Sequence, residues 1–491
     1  MQRHSKVRSA SPGRRHPQPQ QLHAGLSEIE RIRNMLNSPG ASIEMLTCGS
    51  AKGFMFEMTV LPENSAFYNP GAGERTAAPI TSFIVKLAVT SQQNDEELDD
   101  YVPINNGTPV GKSTETAESY FQEARLQQNV WMTTLAGNRV PISPPIVSFS
   151  LFDNQNGRSF LTFLNYKVKK PKSVHTVNYL RTVLQNPANY GLGMIIMSKV
   201  LDSDTFENFL YNEQTSFQGV TVTDHVVDDV YAKLISKIVR LFIEVGVIHF
   251  DLHMKNALIY LRSHHSLNAY IIDYGRASSV KDATTNEYLG RSEKNPLRKK
   301  SEDLHKQILD LCHGHGHGSQ RAQTSDKEKI KFISNVIEPI RKLEHDKSQQ
   351  LYGHPTHYSY GRYQFDWMEE LQTMTTQMVT RHTDNSKNAR FNTIAVMAFD
   401  NLCNEMRVDV TSQAYALSTL RKNCIDFEGR DPSEFETSFS ATWTEWGYSL
   451  VPRAVRNISA YIRRGRYGGR KGKGRGRKTR KLHKIKRNKT K

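Results

Sequence analysis

The stretch "VIHFDLHMKNALIY", residues 247–260, is followed after a short polar gap by "AYIIDYGRAS", residues 269–278. The runs "ALIYL" and "AYIID" read as two strands of a hairpin whose turn is the polar "RSHHSLN". A hairpin accounts for the apolar residues and leaves the polar ones over. The helix expected to end at Gly246 delivers the chain into "HFDLHMKN", which gathers Asp251, Asn256 and Asp273 at the strand ends. Phosphoryl transfer needs such a set: a carboxylate near the incoming hydroxyl, and an asparagine with a second carboxylate on the magnesium ions that bridge nucleotide phosphates.

Outward from that stretch the body of the chain, roughly 41–455, reads in two halves. Before about residue 200 the pattern is short and apolar or alternating: "GFMFEMTVL", "SFIVKLAVT", "PPIVSFSLF", "SFLTFLNY" and "MIIMSKVL". These read as strands of an antiparallel sheet, interrupted by one helical stretch, "AESYFQEARLQQNVWMTTL". Beyond it, 3.6-residue periodicity dominates in "DDVYAKLISKIVRLFIEVG", "SEDLHKQILDLC", "KIKFISNVIEPIRKLEH", "FDWMEELQTMTTQMV" and "FNTIAVMAFDNLC". A small sheet lobe thus precedes a larger helical one.

His249-Phe250-Asp251-Leu252-His253-Met254-Lys255-Asn256 and Asp273-Tyr274-Gly275 resemble the catalytic loop H-R-D-L-x-x-x-N and metal motif D-F-G of the protein-kinase superfamily. The resemblance implies an α+β, protein-kinase-like two-lobed fold, with a small antiparallel-sheet N-lobe over 41–198 and a larger, mainly helical C-lobe over 199–455. It implies ATP and Mg2+ as cofactors and a protein substrate, with Asp251 as catalytic base and Asn256 and Asp273 as metal ligands. It also implies a strand lysine on the nucleotide phosphates, paired with a helix glutamate. "SFIVKLAV" offers Lys86 and "SYFQEARLQQNVW" offers Glu123. Glu118 competes; Phe121, Leu126 and Val130 place an apolar stripe beside Glu123 and favour it. For the phosphate loop, "LTCGSAKGFMFEMTV" supplies Gly49 and Gly53, spaced G-x-x-x-G in place of G-x-G-x-x-G, with Ser50 and Lys52 within reach of phosphate. Met197, Ser198 and Lys199, in the segment joining the lobes, are expected to line the adenine pocket.

The departures are specific. His253 stands two residues beyond Asp251, where Ser/Thr kinases commonly carry lysine; Lys255, just before Asn256, offers a positive charge instead. Phe250 replaces the arginine that pairs with an activation-loop phosphate in many regulated kinases, and no A-P-E follows Asp273. "FQEARLQQNVW", "ISPPIVSF", "HFDLHMKN" and "IIDYGRAS" are similar to divergent kinase-like proteins of large nucleocytoplasmic DNA viruses, over roughly residues 43–280. That resemblance implies a viral protein in host cytoplasm, with the virion or nucleus as further destinations.

The formal net charge of +17 is concentrated at one end: residues 461–491 hold 16 Lys and Arg and no Asp or Glu, so the rest nets about +1. This Gly-spaced basic arm, within a tail over 456–491, has too little apolar surface to fold and suits polyphosphate partners, nucleic acid or an anionic membrane face, with a solubilising tail or a nuclear-localisation signal as the blander alternative. The first 40 residues are basic and Pro/Gln-rich with no apolar core, so they are expected to be disordered and not a secretory signal. No run approaches about 18 apolar residues, which argues against a membrane span. Cys48, Cys312, Cys403 and Cys424 form no CxxC pair, which argues for a reducing compartment and against a disulfide scaffold or structural zinc. "CHGHGHG", 312–318, reads as a solvated loop.

Two function classes follow. One is an active protein kinase, of expected Ser/Thr specificity. The other is a pseudokinase or scaffold that keeps the fold, binds nucleotide and tethers nucleic acid through its tail. Retention of Lys86, Glu123, Asp251, Asn256 and Asp273 together favours the first, since a purely structural role needs no magnesium ligands.

Overall fold

Strand β3 (Ser82–Ser91) carries apolar residues at consecutive positions because both of its faces are covered. With the strand period of two, Phe83, Val85, Leu87 and Val89 enter one core, whereas Ala88 enters a second core on the face that Lys86 shares. The computed structural model describes residues 28–47, 52–69, 78–92, 96–101, 110–135, 140–185, 190–211, 216–252, 254–263, 266–280, 296–313, 324–352 and 384–406. Around β3 run β1 (Ser42–Thr47), β2 (Gly53–Thr59), β4 (Ile146–Phe152) and β5 (Gly191–Ser198), in the order β1-β2-β3-β5-β4, each adjacent pair antiparallel. The two-residue strand Glu115–Thr116 adds to β3 in parallel, opposite Thr90 and Ser91.

One face of this sheet receives helix α2 (Ala117–Thr134), capped by Thr116, whose side chain accepts from the Ser119 N–H. Its Tyr120, Phe121 and Ala124 pack on Phe149 and Ile195. Tyr120 fits because β5 has glycine opposite it: a Cβ on Gly193 would stand 2.5 Å from the tyrosine ring. The far face is covered by α1 (Glu28–Asn37), α3 (Asn154–Asn165) and α4 (Pro171–Val183), through Ile32, Phe160, Leu161, Leu164, Val177 and Leu180.

Two readings of the sequence change here. "SFLTFLNY" was expected as a strand and lies largely in α3. Asp153 caps that helix by accepting from the Asn156 N–H, and Phe160, Leu161 and Leu164 then fall on one helical face, which a strand would split between two. Packing also begins at Glu28, inside the segment expected to lack structure, since Ile29, Ile32, Met35 and Leu36 recur at helical spacing and are buried.

The second half is mainly helical. It contains α5 (Phe206–Tyr211), α6 (Asp224–Arg240), α7 (Pro296–His313), α8 (Asp326–Tyr352) and α9 (Asp384–Met406), with the hairpin β6 (Ala257–Ser263) and β7 (Ser266–Ile271). The strands reach further into "RSHHSLN" than the sequence suggested, to a Ser263–Ser266 pair. After α6 the chain widens into a turn of π-helix, Leu241–Val245, and stops at Gly246 in the left-handed conformation, φ +72°. The core joins α6 to α7, α8 and α9 through Leu234, Ile238, Ile308, Phe332 and Phe399. A sheet lobe followed by a helical lobe is the expected α+β arrangement.

Cys312 on α7 and Cys403 on α9 form a disulfide, Cα to Cα 5.2 Å, a pairing that the wide cysteine spacing, which argues for a reducing compartment and against a disulfide scaffold, does not anticipate. The two are 91 residues apart, so only helix packing brings them together. No described helix is long and apolar enough to cross a membrane. Gly49, His253, "FDWMEELQTMTTQMV", residues 314–318 of the His/Gly run and the 456–491 tail lie outside the described residues.

Candidate active site

Lys86 projects from β3 toward α2, and its ammonium donates to both oxygens of Glu123, at 2.7 and 2.8 Å. Both side chains are almost wholly buried. Of the two competing glutamates, the structure brings Glu123 to Lys86. The lysine is fenced on the other sides: Tyr120 Oη donates to the Lys86 carbonyl at 2.8 Å, and a Cβ on Gly53 would come within 3.1 Å of Lys86 Cε. Gly53 is therefore needed for close approach of β2 to this lysine, whatever else its loop does.

Burial alone would lower the Lys86 pKa, but Glu123, then Asp273 and Glu115, reverse this and hold it well above its ordinary value. Glu123 responds in the opposite sense. Burial pushes it up, Lys86 pulls it down, and Glu115 and Asp273 push it up again, to about 7. The pair is thus charged above neutrality, and Glu123 is the member that takes a proton as the pH falls. Glu115, on the short strand before α2, was not singled out from sequence; it is buried and lies 3.8 Å from Lys52 Nζ. Its signal would have been a charged residue immediately before an N-cap, and that is weak.

Across the cleft, His249 bonds the Ile272 carbonyl through Nε2 at 3.0 Å and packs against the Tyr274 ring, centroids 5.0 Å apart. This braces the catalytic loop on the strand that leads to Asp273. Asn256 Nδ2 donates to the Asp251 carbonyl at 2.8 Å, while its own carbonyl accepts from the Ile272 N–H at 2.9 Å. Phe250 and Asp273 are both held at positive φ, +59° and +64°, unusual for non-glycine residues and frequent where a site fixes its geometry. Asp273 Oδ1 lies 3.8 Å from Lys86 Nζ, so the two halves of the site meet there. A Cβ on Gly275 would make only ordinary contacts, 3.4 Å from Glu123 Oε2 and 3.5 Å from Asp273 Oδ1, which places this turn beside both carboxylates.

The remaining expected residues are placed as follows. Lys255 Nζ is 3.5 Å from Glu207 on α5. Met197 pairs with Ile84 and Ile146, and its sulfur accepts from Gln127 Nε2 at 3.8 Å. The Ser198 and Lys199 N–H groups donate to the Pro145 and Ser82 carbonyls, and Lys199 Nζ reaches Glu57 at 2.5 Å. Arg276, not anticipated, sits with Nη1 3.3 Å from Asp251 Oδ1. It directly follows Asp273-Tyr274-Gly275, and chain spacing alone does not tell that it folds back onto Asp251.

Two buried cations on α6 hold the connection between α2 and β4. Lys237 Nζ donates to the Pro141 carbonyl at 3.1 Å; Arg240 donates to the Thr134 and Val140 carbonyls at 3.0 and 3.1 Å and to Glu244 and Glu405 at 2.9 and 2.7 Å. Since Thr134 ends α2, this fixes the rear of the helix that presents Glu123. A lysine on the middle strand, its glutamate on the helix behind, and the segments 249–256 and 273–275 joined by a hairpin make one arrangement. The fold is protein-kinase-like. Among solved structures, the kinase domain of maize SIRK1 (sucrose-induced receptor kinase 1) bound to AMP-PNP is similar at 12% identity and a TM-score of 0.26, covering 78% of this chain and 93% of that one. No protein-family model and no curated protein matches the chain. At that identity and overlap, the chemistry has to come from the residues of the site.

Those residues suit a magnesium–nucleotide complex. Asp273 is a hard oxygen donor facing the cleft, its side chain 38% exposed, and the Asn256 amide, committed through Nδ2 to the Asp251 carbonyl, turns its oxygen away from that bond. No group of three or more His, Cys, Asp or Glu able to hold a metal occurs among the described residues. Magnesium takes one or two protein ligands and completes its shell with phosphate and water.

Proposed function

We propose that the protein is an ATP- and magnesium-dependent protein kinase acting on Ser or Thr hydroxyls, with Asp251 as base. The observation that carries this reading is the assembled contact Glu123–Lys86–Asp273, at 2.7 and 3.8 Å. A scaffold has no use for three ionised groups crowded in a cleft, because each carries a desolvation cost that nucleotide phosphates and a cation would offset. Asn256 and Asp273 would hold the magnesium, which when bound neutralises charge on the phosphates. Lys86 aligns those phosphates, Glu123 fixes the lysine, and Asp251 accepts or orients the hydroxyl proton. Viral origin and nucleic-acid binding through residues 461–491 belong to the same proposal, supported by the quoted sequence resemblance and by the basic composition of the tail.

The test is transfer of labelled γ-phosphate, with magnesium, to the protein itself and to generic Ser/Thr and Tyr substrates. Asp251→Asn should abolish transfer and leave AMP-PNP affinity within about 3-fold, while Asp273→Asn should weaken magnesium-dependent binding by about 10-fold or more. Equal loss of binding in both would sink the division of roles. No transfer by the wild type, with nucleotide still bound, would turn the reading to a scaffold; the labelled residue would decide between Ser/Thr and Tyr.

A further inference from the structure

A transferring phosphoryl group spreads negative charge over three oxygens, and positioned cations stabilise it. The described residues of the loop 249–256 contribute few of them. Phe250 is uncharged, Lys255 has its charge answered by Glu207 at 3.5 Å, and Lys86 is held by Glu123 on the nucleotide side. Arg276 is placed otherwise. Its Nη1 lies 3.3 Å from Asp251 Oδ1, with the two side chains 46% and 24% exposed, so both are accessible to solvent.

Resting on the kinase reading, we propose that Arg276 is the side chain that grips the transferring phosphoryl group, and so a catalytic residue beyond those recognised in the sequence. The distances support it. A hydroxyl activated by Asp251 lies within about 3 Å of that carboxylate, and the attacked phosphorus within about 3.5 Å of the hydroxyl oxygen. A guanidinium already 3.3 Å from the same carboxylate reaches the phosphoryl oxygens with one arm of its planar fork while another keeps the base in place. In the step itself, a bond forms between the hydroxyl oxygen and the γ-phosphorus and the bond to the ADP oxygen breaks. The hydroxyl proton passes to Asp251, and Arg276 faces the charge on the moving group without exchanging a proton. The arginine thus does from the residue after D-Y-G what a catalytic-loop lysine does elsewhere.

The experiment compares wild type, Arg276→Gln and Arg276→Lys in two readouts: single-turnover phosphoryl transfer, and calorimetric affinity for magnesium with AMP-PNP or with ADP plus aluminium fluoride, which imitates the planar moving phosphoryl. Arg276→Gln should lower the transfer rate by about 10²–10³-fold, keep AMP-PNP affinity within about 3-fold and lose the extra affinity that aluminium fluoride gives ADP. Arg276→Lys should restore part of both. An unchanged or faster rate in Arg276→Gln, or equal weakening of both nucleotide complexes, overturns the assignment; a faster rate would make the contact a lock on the base. A wild type that transfers no phosphate and gains nothing from aluminium fluoride overturns the kinase reading and this inference with it, whereas an active wild type with an equally active Arg276→Gln overturns this inference alone.

Discussion

Lys86 and Lys237 are both buried lysines within one fold, and their ammonium groups are pushed in opposite directions. Burial lowers each. At Lys86 the carboxylates of Glu123, Asp273 and Glu115 overcome it and raise the pKa well above the ordinary value, whereas at Lys237 burial prevails over Glu405, helped by Arg240, Arg262 and Lys233, and leaves a pKa of about 8. Partners explain the contrast: Lys86 faces ionised groups that open onto a cleft, and Lys237 is spent on one peptide carbonyl. On the proposed function, the difference separates a cation kept for chemistry from one kept for architecture.

The contrast is tested most severely by removing each charge at constant bulk. Lys86→Met leaves Glu123 buried without its counter-ion and should cost about 3–5 kcal/mol in urea unfolding. Lys237→Met should stay within about 1.5 kcal/mol of wild type at pH 7, because relief of a buried cation offsets an orphaned carbonyl. Equal losses would erase the distinction. A pH series sharpens it. The folded-state pKa of Lys237 lies below its unfolded value, so the folded protein binds fewer protons between about pH 8 and 10.5. Wild type should therefore gain stability relative to Lys237→Met as the pH rises through that window, by roughly 3 kcal/mol in total. A flat difference would mean that Lys237 is charged throughout.

For the Lys86–Glu123 pair the sign is reversed. Glu123, with its pKa raised to about 7, is protonated as the pH falls through neutrality, so nucleotide affinity should drop from pH 8 to pH 6 by about 3- to 10-fold, with Glu123→Gln removing the dependence. A further effect is expected at a distance. Gly193→Ala puts a methyl 2.5 Å from the Tyr120 ring and should cost about 1–3 kcal/mol, weakening nucleotide binding through the tyrosine that holds the Lys86 carbonyl. An unshifted melting temperature would show that α2 moves aside freely.

What was legible in the sequence is what chain-local chemistry encodes. The loop 249–256, the hairpin after it and the strand around Lys86 all carry their meaning within a few residues. Glu123 was reachable because its helix has a stripe. What stayed hidden depends on packing between distant segments. An apolar run such as "SFLTFLNY" suits a strand or a helix equally, and the deciding signal was Asp153, a cap rather than a hydrophobe. The Cys312–Cys403 pair needs two helices to meet across 91 residues. Arg276 is adjacent to a recognised motif, yet its contact with Asp251 arises only when the hairpin closes. Arg240 looked like one basic residue in an amphipathic helix, and nothing local says that it holds the Thr134 and Val140 carbonyls.

The sheet beneath Lys86 is covered on both faces, by α2 on one and by α1, α3 and α4 on the other. In mechanical terms β3 is the mid-plane of a laminated beam, and a laminate resists flexing far more than a bare sheet does. The chain leaves β5 through residues 199–203, where Lys199 is tethered to Glu57, Leu201 projects into solvent and Asp202 sits at φ +50°. If the protein is the kinase proposed above, opening between the halves would be a rotation about that short span, and the pace of product departure would be set there rather than in the strands.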